Sequence, residues 1–323
     1  YQCLFFFLML LRPPRPTLFP YTTLFRSLLP PLSGWYNNWF KDCMGCPIRS
    51  EIWACIAPGN PLLAARYAYE DAICDHAGGE SVYGEVFNAS LEAAAFFLSD
   101  RVQLVEFGLQ TIPTTSQTHG AINAALDAFK EGIDWKAARH RVMKQFFSPI
   151  AQYSPINLGF QTIGLLYGND FGDAICKAVN CGWDTDCTGA TVGSIWGIIH
   201  GKDALPQKWL EPLGEQILLS KEIKNLTAPT NLKPLTDETC ELGKKIIDEF
   251  NLPFKIDMDP TSHEGIESYL KAQLVEIQNL WHRPPNFVEL YCDPSNFKVI
   301  LEYPEGPARS EEHTSELQSP NTI

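Results

Sequence analysis

Two aspartates separated by one residue form the stretch of this chain best suited to chemistry. Asp184 and Asp186 lie in the segment GWDTDCTGATVGSIWGIIHG, shortly after the turn residue Gly182. Thr185 or Asp186 is a good N-cap for the apolar run that follows, so the spacing predicts two carboxylates at one helix start. Carboxylate oxygens in such a place suit a hard divalent cation. A solvated, helix-capping turn is the alternative interpretation of an isolated Asp-x-Asp pair.

The helix predicted after this pair is rich in glycine. Gly189, Gly193 and Gly197 recur at steps of four, which places them on one helix face, and Gly201 is positioned to end the helix. Each interior glycine costs about 1 kcal/mol relative to alanine. We therefore expect the backbone of a neighbouring helix to approach this face closely. The apolar segment is shorter than the roughly 20 residues that a membrane-spanning helix needs.

Helical patterns dominate the chain from Asn60 to Phe250, and strand and helix patterns do not alternate. Asn60 followed by Pro61, and Asp134 before an apolar repeat, predict helix starts. These patterns predict an all-α fold, followed by two strand-like runs that indicate the start of a small β domain. The expected divisions are a helical domain lacking its N-terminus at 28–250, a helical connector at 251–285 and the start of a truncated β domain at 286–308.

Both ends of the chain are set aside. Segments 12–27 and 309–319, RPPRPTLFPYTTLFRS and RSEEHTSELQS, are identified as translated sequencing-library adapters. We therefore expect residues 1–27 and 309–323 to be artefactual and the gene product to be truncated on each side. The apolar run at residues 1–11 lies outside the adapter, so we do not interpret it as a signal peptide.

Composition excludes several classes of function. The formal net charge of −13 and the lack of any basic run argue against DNA or RNA as a partner. The cysteines have no regular spacing, which favours free thiols in a reducing compartment, and we expect a cytoplasmic protein with no membrane partner. Cys43 and Cys46 form a Cys-x-x-Cys pair, but no second pair completes a zinc site.

The segment GWDTDCTGATVGSIWG resembles the metal-binding signature of the ADP-ribosylglycohydrolase family, and the resemblance covers about Gly45 to Phe250. It implies an orthogonal helical bundle with a site for two Mg²⁺ ions, with Mn²⁺ as an alternative metal. Asp184 and Asp186 would be metal ligands and, through the metal, hold the attacking water. The family's other ligands, a Thr/Ser-Asp-Asp run near its N-terminus, have no counterpart in residues 28–308, as expected if that end was lost.

The ligand set departs from the family at one position. The family places a hydroxyl ligand directly after the second aspartate, whereas this chain has Cys187 there and Thr188 one place further on. A thiol is a poor ligand for Mg²⁺, which prefers hard oxygen donors. Thr188 is expected to point elsewhere on the helix, so metal ligation by either residue is doubtful.

The resemblance also implies a set of substrate-binding residues: Gly45, Arg49, His76, Gly78, Tyr83 and Gly182. A turn with a surface arginine explains the first two equally well, and a histidine at a helix C-terminus is a favourable dipole partner without any ligand. Tyr153 suits either nucleotide stacking or a place in the core. Glu51 and Glu85 are candidate acid or base residues.

The function implied by the resemblance is hydrolysis at the anomeric carbon of an ADP-ribosyl conjugate, impaired in a fragment. The conjugate is a modified protein side chain or a small molecule, so ADP-ribosylated substrate or ADP-ribose is the expected partner. The alternative is a non-catalytic member of the same fold that binds ADP-ribose or is structural, as in some crystallins. The sequence leaves the ADP-ribosyl linkage and the oligomeric state open.

Overall fold

The computed structural model describes residues 30–220, 224, 227–256 and 265–282. In these ranges the chain forms thirteen α-helices and no sheet, which confirms the predicted all-α class. The helices are α1 (Leu32–Trp35), α2 (Ser50–Ile56), α3 (Pro61–Asp75), α4 (Glu80–Ala94), α5 (Arg101–Leu109), α6 (Gln117–Lys130), α7 (Trp135–Phe146), α8 (Ser154–Tyr167), α9 (Phe171–Asn180), α10 (Thr185–His200), α11 (Gln207–Leu210), α12 (Leu232–Glu249) and α13 (Ile266–His282). Short 3₁₀ helices lie at Pro47–Arg49 and Lys202–Ala204.

Two central helices, α4 and α8, organise the bundle. Every residue of α4 is buried, and α8 is buried from Ser154 to Leu166. A helix buried on all sides must be surrounded by other helices. α4 packs against α2, α3 and α5, while α8 packs against α6, α7, α9 and α10 and also contacts α4. The bundle therefore places the start of α10 beside the start of α8.

The predicted helix starts agree with the structure at two positions and differ at a third. The Asn60 side chain accepts a hydrogen bond from the Leu63 N–H at 3.2 Å, and Asp134 caps α7 in the same way. The expectation that Thr185 or Asp186 caps α10 is wrong, because the N-cap is Asp184. The positive φ angles of Gly182 and Trp183, +85° and +61°, turn the chain so that the helix begins earlier than expected.

The glycine face of α10 meets side chains rather than backbone. A Cβ atom placed on Gly189 would lie 3.0 Å from Cγ2 of Val179 in α9, and one on Gly193 would lie 3.5 Å from Cδ1 of Ile175. A Cβ on Gly197 would meet no atom within 4 Å. The expected close backbone approach is therefore wrong, and the first two glycines instead form a shallow groove for the branched side chains of α9. Gly201 ends the helix as predicted, at φ +74°.

The core continues past residue 250. In α13, Trp281 donates its ring N–H to the Thr111 carbonyl at 2.7 Å, and its ring lies 5.3 Å from that of Tyr83. The same helix contributes four buried side chains to the main core: Ile266, Leu270, Leu274 and Ile277. Among the helices of the described ranges, none combines the length and the apolar character needed to cross a membrane. The segments predicted as strands, and both predicted adapters, lie outside the described residues.

Candidate functional site

The acidic turn, residues 182–187, brings three candidate metal ligands together. The ligand atoms of Asp184, Asp186 and Cys187 all lie within 4.8 Å of one another. Asp184 is the N-cap of α10, Asp186 lies in its first turn, and the Cys187 side chain is buried. Both carboxylates therefore sit at the positive end of the α10 dipole, which favours their ionised forms.

Burial and neighbouring carboxyl groups shift the pKa values of Asp184 and Cys187 in the acidic turn. Burial, and then the neighbouring Asp186 carboxyl, raise the pKa of Asp184, and a hydrogen bond with the Cys187 thiol opposes that rise. Burial is also the largest cause that raises the pKa of Cys187, and the two carboxylates add to it. Cys187 is therefore a protonated thiol at neutral pH, and its sulfur lies within 4.8 Å of a ligand oxygen of Asp184.

These residues fit a hard divalent cation only in part. Two adjacent carboxylates at a helix start offer the oxygen donors that Mg²⁺ prefers. A protonated thiol does not, and its sulfur suits softer metals. The Thr188 hydroxyl donates to the Thr185 carbonyl at 3.3 Å within its own helix, and Thr188 is buried. The fit therefore rests on Asp184 and Asp186.

Three side chains hold the acidic turn in place: Arg139 of α7, Asn157 of α8 and Trp183 of the turn itself. Arg139 Nε donates to the Cys181 carbonyl at 2.7 Å, and the Trp183 ring N–H donates to the Ser148 carbonyl at 3.0 Å. The backbone N–H of Asp184 donates to Asn157 Oδ1, also at 3.0 Å. These bonds hold the chain at position 181, just before the acidic turn, and at positions 183 and 184 within it.

On the other side of the site, the predicted residues Gly45, Arg49 and His76 meet. The His76 ring packs directly on Gly45, leaving no space for a Cβ atom there, and its Nδ1 lies 2.8 Å from Asp75 Oδ1. Arg49 donates to the Gly45 carbonyl at 3.0 Å and forms ion pairs with Asp71 and Asp75. The guanidinium group therefore holds the loop at Gly45 against α3.

Of the two remaining predicted residues on this side, Gly78 lies against Asp42 and Tyr83 lies in the core. Gly78 packs directly against the Asp42 carboxylate, which accepts a hydrogen bond from the Glu80 N–H at 3.1 Å. Burial is the main cause that raises the pKa of Asp42 to about 6. Tyr83 is only 5% exposed and contacts Trp281, so it lies in the core rather than in an open cleft.

The two sides of the site are joined by residues 151–157. Met44 N–H donates to the Gln152 carbonyl at 2.7 Å, and Ser154 N–H donates to the Asp42 carbonyl at 2.9 Å. Cys43 and Tyr153 form an antiparallel bridge, and Asp184 is among the groups that raise the pKa of Cys43. The loop that carries Gly45 and the acidic turn are therefore neighbours.

The comparison with known families gives a match over the same region. The sequence model described as ADP-ribosylglycohydrolase matches residues 22–242, which include both sides of the site. The chain belongs to the ADP-ribosylglycohydrolase family. Its match begins inside the segment that we interpret as adapter-derived. No curated protein and no solved structure gives a significant match.

Membership of this family supports a glycohydrolase-type function in general and implies ADP-ribosylated substrates in general. Of the two candidate acid or base residues, Glu85 is fully buried and Glu51 is partly buried. Glu85 accepts a hydrogen bond from the Trp53 ring N–H at 2.9 Å, and Glu51 accepts one from the Thr191 hydroxyl at 3.1 Å. Burial raises the pKa of both carboxyl groups.

Three residues at the site were missed by the sequence analysis. Asn157 and Arg139 fix the acidic turn, and Asp42 binds the start of α4. The available signal was weak: Asn157 is a lone amide in the otherwise apolar run SPINLGF, and a polar residue buried in such a run needs hydrogen-bond partners. Arg139 and Asp42 carry no local signal, since their partners are distant in sequence.

Proposed function

We propose that this protein cleaves the glycosidic bond of an ADP-ribosyl conjugate with the help of two Mg²⁺ ions, with impaired activity because the family's Thr/Ser-Asp-Asp ligands have no counterpart in residues 28–308. The observation that carries the proposal is the convergence of Asp184 and Asp186 at the start of α10, beside the loop that contains Gly45. Sugar hydrolysis needs charge stabilisation next to a bound sugar, and this arrangement supplies the anionic half of a metal site close to a backbone turn.

Each residue has a proposed role. Asp184 and Asp186 would hold the metal, which when bound would orient ribose hydroxyls and lower the pKa of a water. The missing side chain at Gly45 lets the His76 ring and the loop backbone lie close together. Arg49 already pairs with two aspartates, so we assign it to orienting the Gly45 peptide towards a diphosphate rather than to neutralising that diphosphate.

Calorimetry with ADP-ribose tests the binding part of this proposal. We expect the wild-type chain to bind ADP-ribose more tightly in Mg²⁺ than in EDTA, and Asp184→Ala to lose the difference. Asp173→Asn is the matched control, because Asp173 is also an acidic residue in the first turn of a helix but pairs with Lys177 away from the site. Equal ADP-ribose affinity of the wild type with and without Mg²⁺ would contradict a metal-assisted site.

The second candidate is a non-catalytic, ADP-ribose-binding or structural member of the family. The observation that favours it is Cys187, whose protonated thiol takes the place of the family's hydroxyl ligand close to Asp184. This candidate predicts ADP-ribose binding that is independent of metal, or no binding at all, and no release of ADP-ribose from any conjugate.

A further inference from the structure

Asn157 makes three hydrogen bonds, all to backbone. Its side chain is fully buried, and its Nδ2 donates to the carbonyls of Ala151 and Tyr153, each at 2.8 Å. Its Oδ1 accepts from the Asp184 N–H at 3.0 Å. A flipped amide would set donor against donor and acceptor against acceptor, so the environment allows only one orientation.

The bond to Asp184 lies next to a strained residue. Trp183 has φ +61°, in the left-handed region that bulky side chains rarely occupy, and such a conformation persists only where its surroundings enforce it. Arg139 and the Trp183 ring hold the chain before Asp184, but Asn157 alone among these side chains bonds to the backbone of a candidate ligand itself. Loss of that bond would free the Asp184 peptide to rotate.

Asn157 also connects the two sides of the site. The carbonyls that it binds belong to the segment 151–154, whose other backbone groups pair with residues 42–44 of the loop that leads to Gly45. One buried amide thus bonds to both the acidic turn and the strip of chain that borders the predicted ADP-ribose loop.

We propose that Asn157 is a positioning residue that fixes the direction of the Asp184 carboxylate and its place relative to the Gly45 loop. The inference rests on the proposed function, because it assumes that Asp184 holds a metal. It assigns Asn157 no contact with substrate. Partners that orient a metal ligand through hydrogen bonds typically change metal affinity by 10–100-fold when they are removed.

The test compares Asn157→Ala with Gln161→Ala in the full chain. Gln161 lies one turn further along α8, is 1% exposed, and uses its amide to bind Asn88 Oδ1 at 2.7 Å, away from the acidic turn. Both changes remove a buried amide, so they control for general destabilisation. The first readout is hydrogen exchange at the Asp184 amide in metal-free protein, and the second is the affinity for Mn²⁺ alone, measured by paramagnetic resonance.

We expect faster exchange at Asp184 and about 10-fold weaker Mn²⁺ binding in Asn157→Ala, with Gln161→Ala close to the wild type in both. If the two variants behave alike in both measurements, the positioning role is overturned. Should Asn157→Ala not fold, Asn157→Ser, which leaves a smaller cavity, is measured against the same control.

Wild-type and Asp184→Asn proteins separate this inference from the proposed function. If they bind Mn²⁺ equally well, or neither binds it, the proposed metal site is contradicted. The exchange measurement needs no metal, so it then decides by itself whether Asn157 fixes the acidic turn.

Discussion

The Cys187 sulfur lies within 4.8 Å of ligand oxygens of Asp184 and Asp186 at the start of α10, where a hydroxyl would add a third oxygen donor. Because burial and both aspartates raise its pKa, the thiol keeps its proton and offers a divalent cation no oxygen donor. At the level of single residues, Cys187 is therefore expected to weaken the proposed Mg²⁺ site without removing Asp184 and Asp186, its two candidate ligands.

Changing Cys187 to Ser should strengthen the site. A hydroxyl is a harder donor than a thiol, and we expect Mg²⁺ affinity to rise several-fold in Cys187→Ser. Cys187→Ala removes the thiol without adding a donor and serves as the control. Calorimetric titration with Mg²⁺ compares the three proteins, and equal affinity of the serine and alanine variants would show that position 187 does not face the metal.

Glu92 should make stability depend on pH. It is fully buried, and burial, with the neighbouring Glu51 carboxyl, raises its pKa well above the usual value, while a hydrogen bond with Ser50 opposes that rise. Because the folded-state pKa exceeds the unfolded one, the protonated form favours folding at low pH. That contribution falls as the pH rises from about 4.5 towards the folded pKa, by about 1.4 kcal/mol for each pH unit.

Glu92→Gln tests this linkage. The amide cannot ionise, so we expect the variant to have a larger free energy of unfolding than the wild type at pH 8 and a smaller decrease between pH 5 and 8. Urea unfolding followed by circular dichroism measures both quantities. Glu106→Gln, at a half-exposed carboxylate paired with Lys130, is the control. Parallel pH profiles of the wild type and Glu92→Gln would contradict the ionisation argument.

At the level of elements, α10 shows which glycines are needed. Gly197 faces open space, so alanine there should raise the free energy of unfolding by up to about 1 kcal/mol through helix propensity alone. At Gly189 the added methyl would press on Val179 at 3.0 Å, so the same change should gain less or destabilise. Thermal unfolding of the two variants measures the contrast, and a larger gain at Gly189 would contradict the packing described for α9 and α10.

Helix starts with local chemical signals could be predicted, and those without them could not. Asn60 and Asp134 predict the starts of α3 and α7, because a capping side chain accepts hydrogen bonds from backbone N–H groups in the first turn of its own helix. Helix α2, which precedes the predicted helical range 60–250, was not predicted. α2 follows a 3₁₀ turn and begins at Ser50 with no capping hydrogen bond from the preceding side chain, so its stability comes from packing against α4.

For the whole molecule, α13 ties the end of the described chain to its centre. Trp281 bonds to the Thr111 carbonyl and packs on Tyr83 and Tyr69, in α4 and α3. Trp281→Ala should cost up to about 3 kcal/mol of unfolding free energy, less than truncation of a fully buried aromatic side chain, because Trp281 is partly buried. Val275→Ala on the exposed side of α13, where the side chain is 55% exposed, should change it by less than about 0.5 kcal/mol.

Denaturant unfolding of these two variants shows whether α13 and the rest of the bundle form one cooperative unit. A Trp281→Ala protein that unfolds at the wild-type midpoint would mean that α13 contributes nothing to the stability of the bundle. A separate early transition confined to this variant would also contradict a shared core.

The sequence analysis treated the two sides of the candidate site separately. The paired carboxylates marked the acidic turn by residue type, whereas the Gly45 to His76 region was expected only from the family resemblance. Their joining through residues 151–157 could not be predicted, since it depends on backbone bonds between segments more than a hundred residues apart. The placement of Tyr83 in the core likewise follows from α13, whose contact with α4 has no local sequence signal.

The most direct test of the central claim is release of ADP-ribose from ADP-ribosylated arginine, serine and small-molecule conjugates, followed by chromatography in Mg²⁺ or EDTA. We predict slow, Mg²⁺-dependent release by the wild type from at least one conjugate, because the family's Thr/Ser-Asp-Asp ligands have no counterpart in residues 28–308, with loss of release in Asp184→Ala and its retention in Asp173→Asn. Release that is unchanged in Asp184→Ala, or unchanged in EDTA, would contradict a catalytic metal site at the acidic turn.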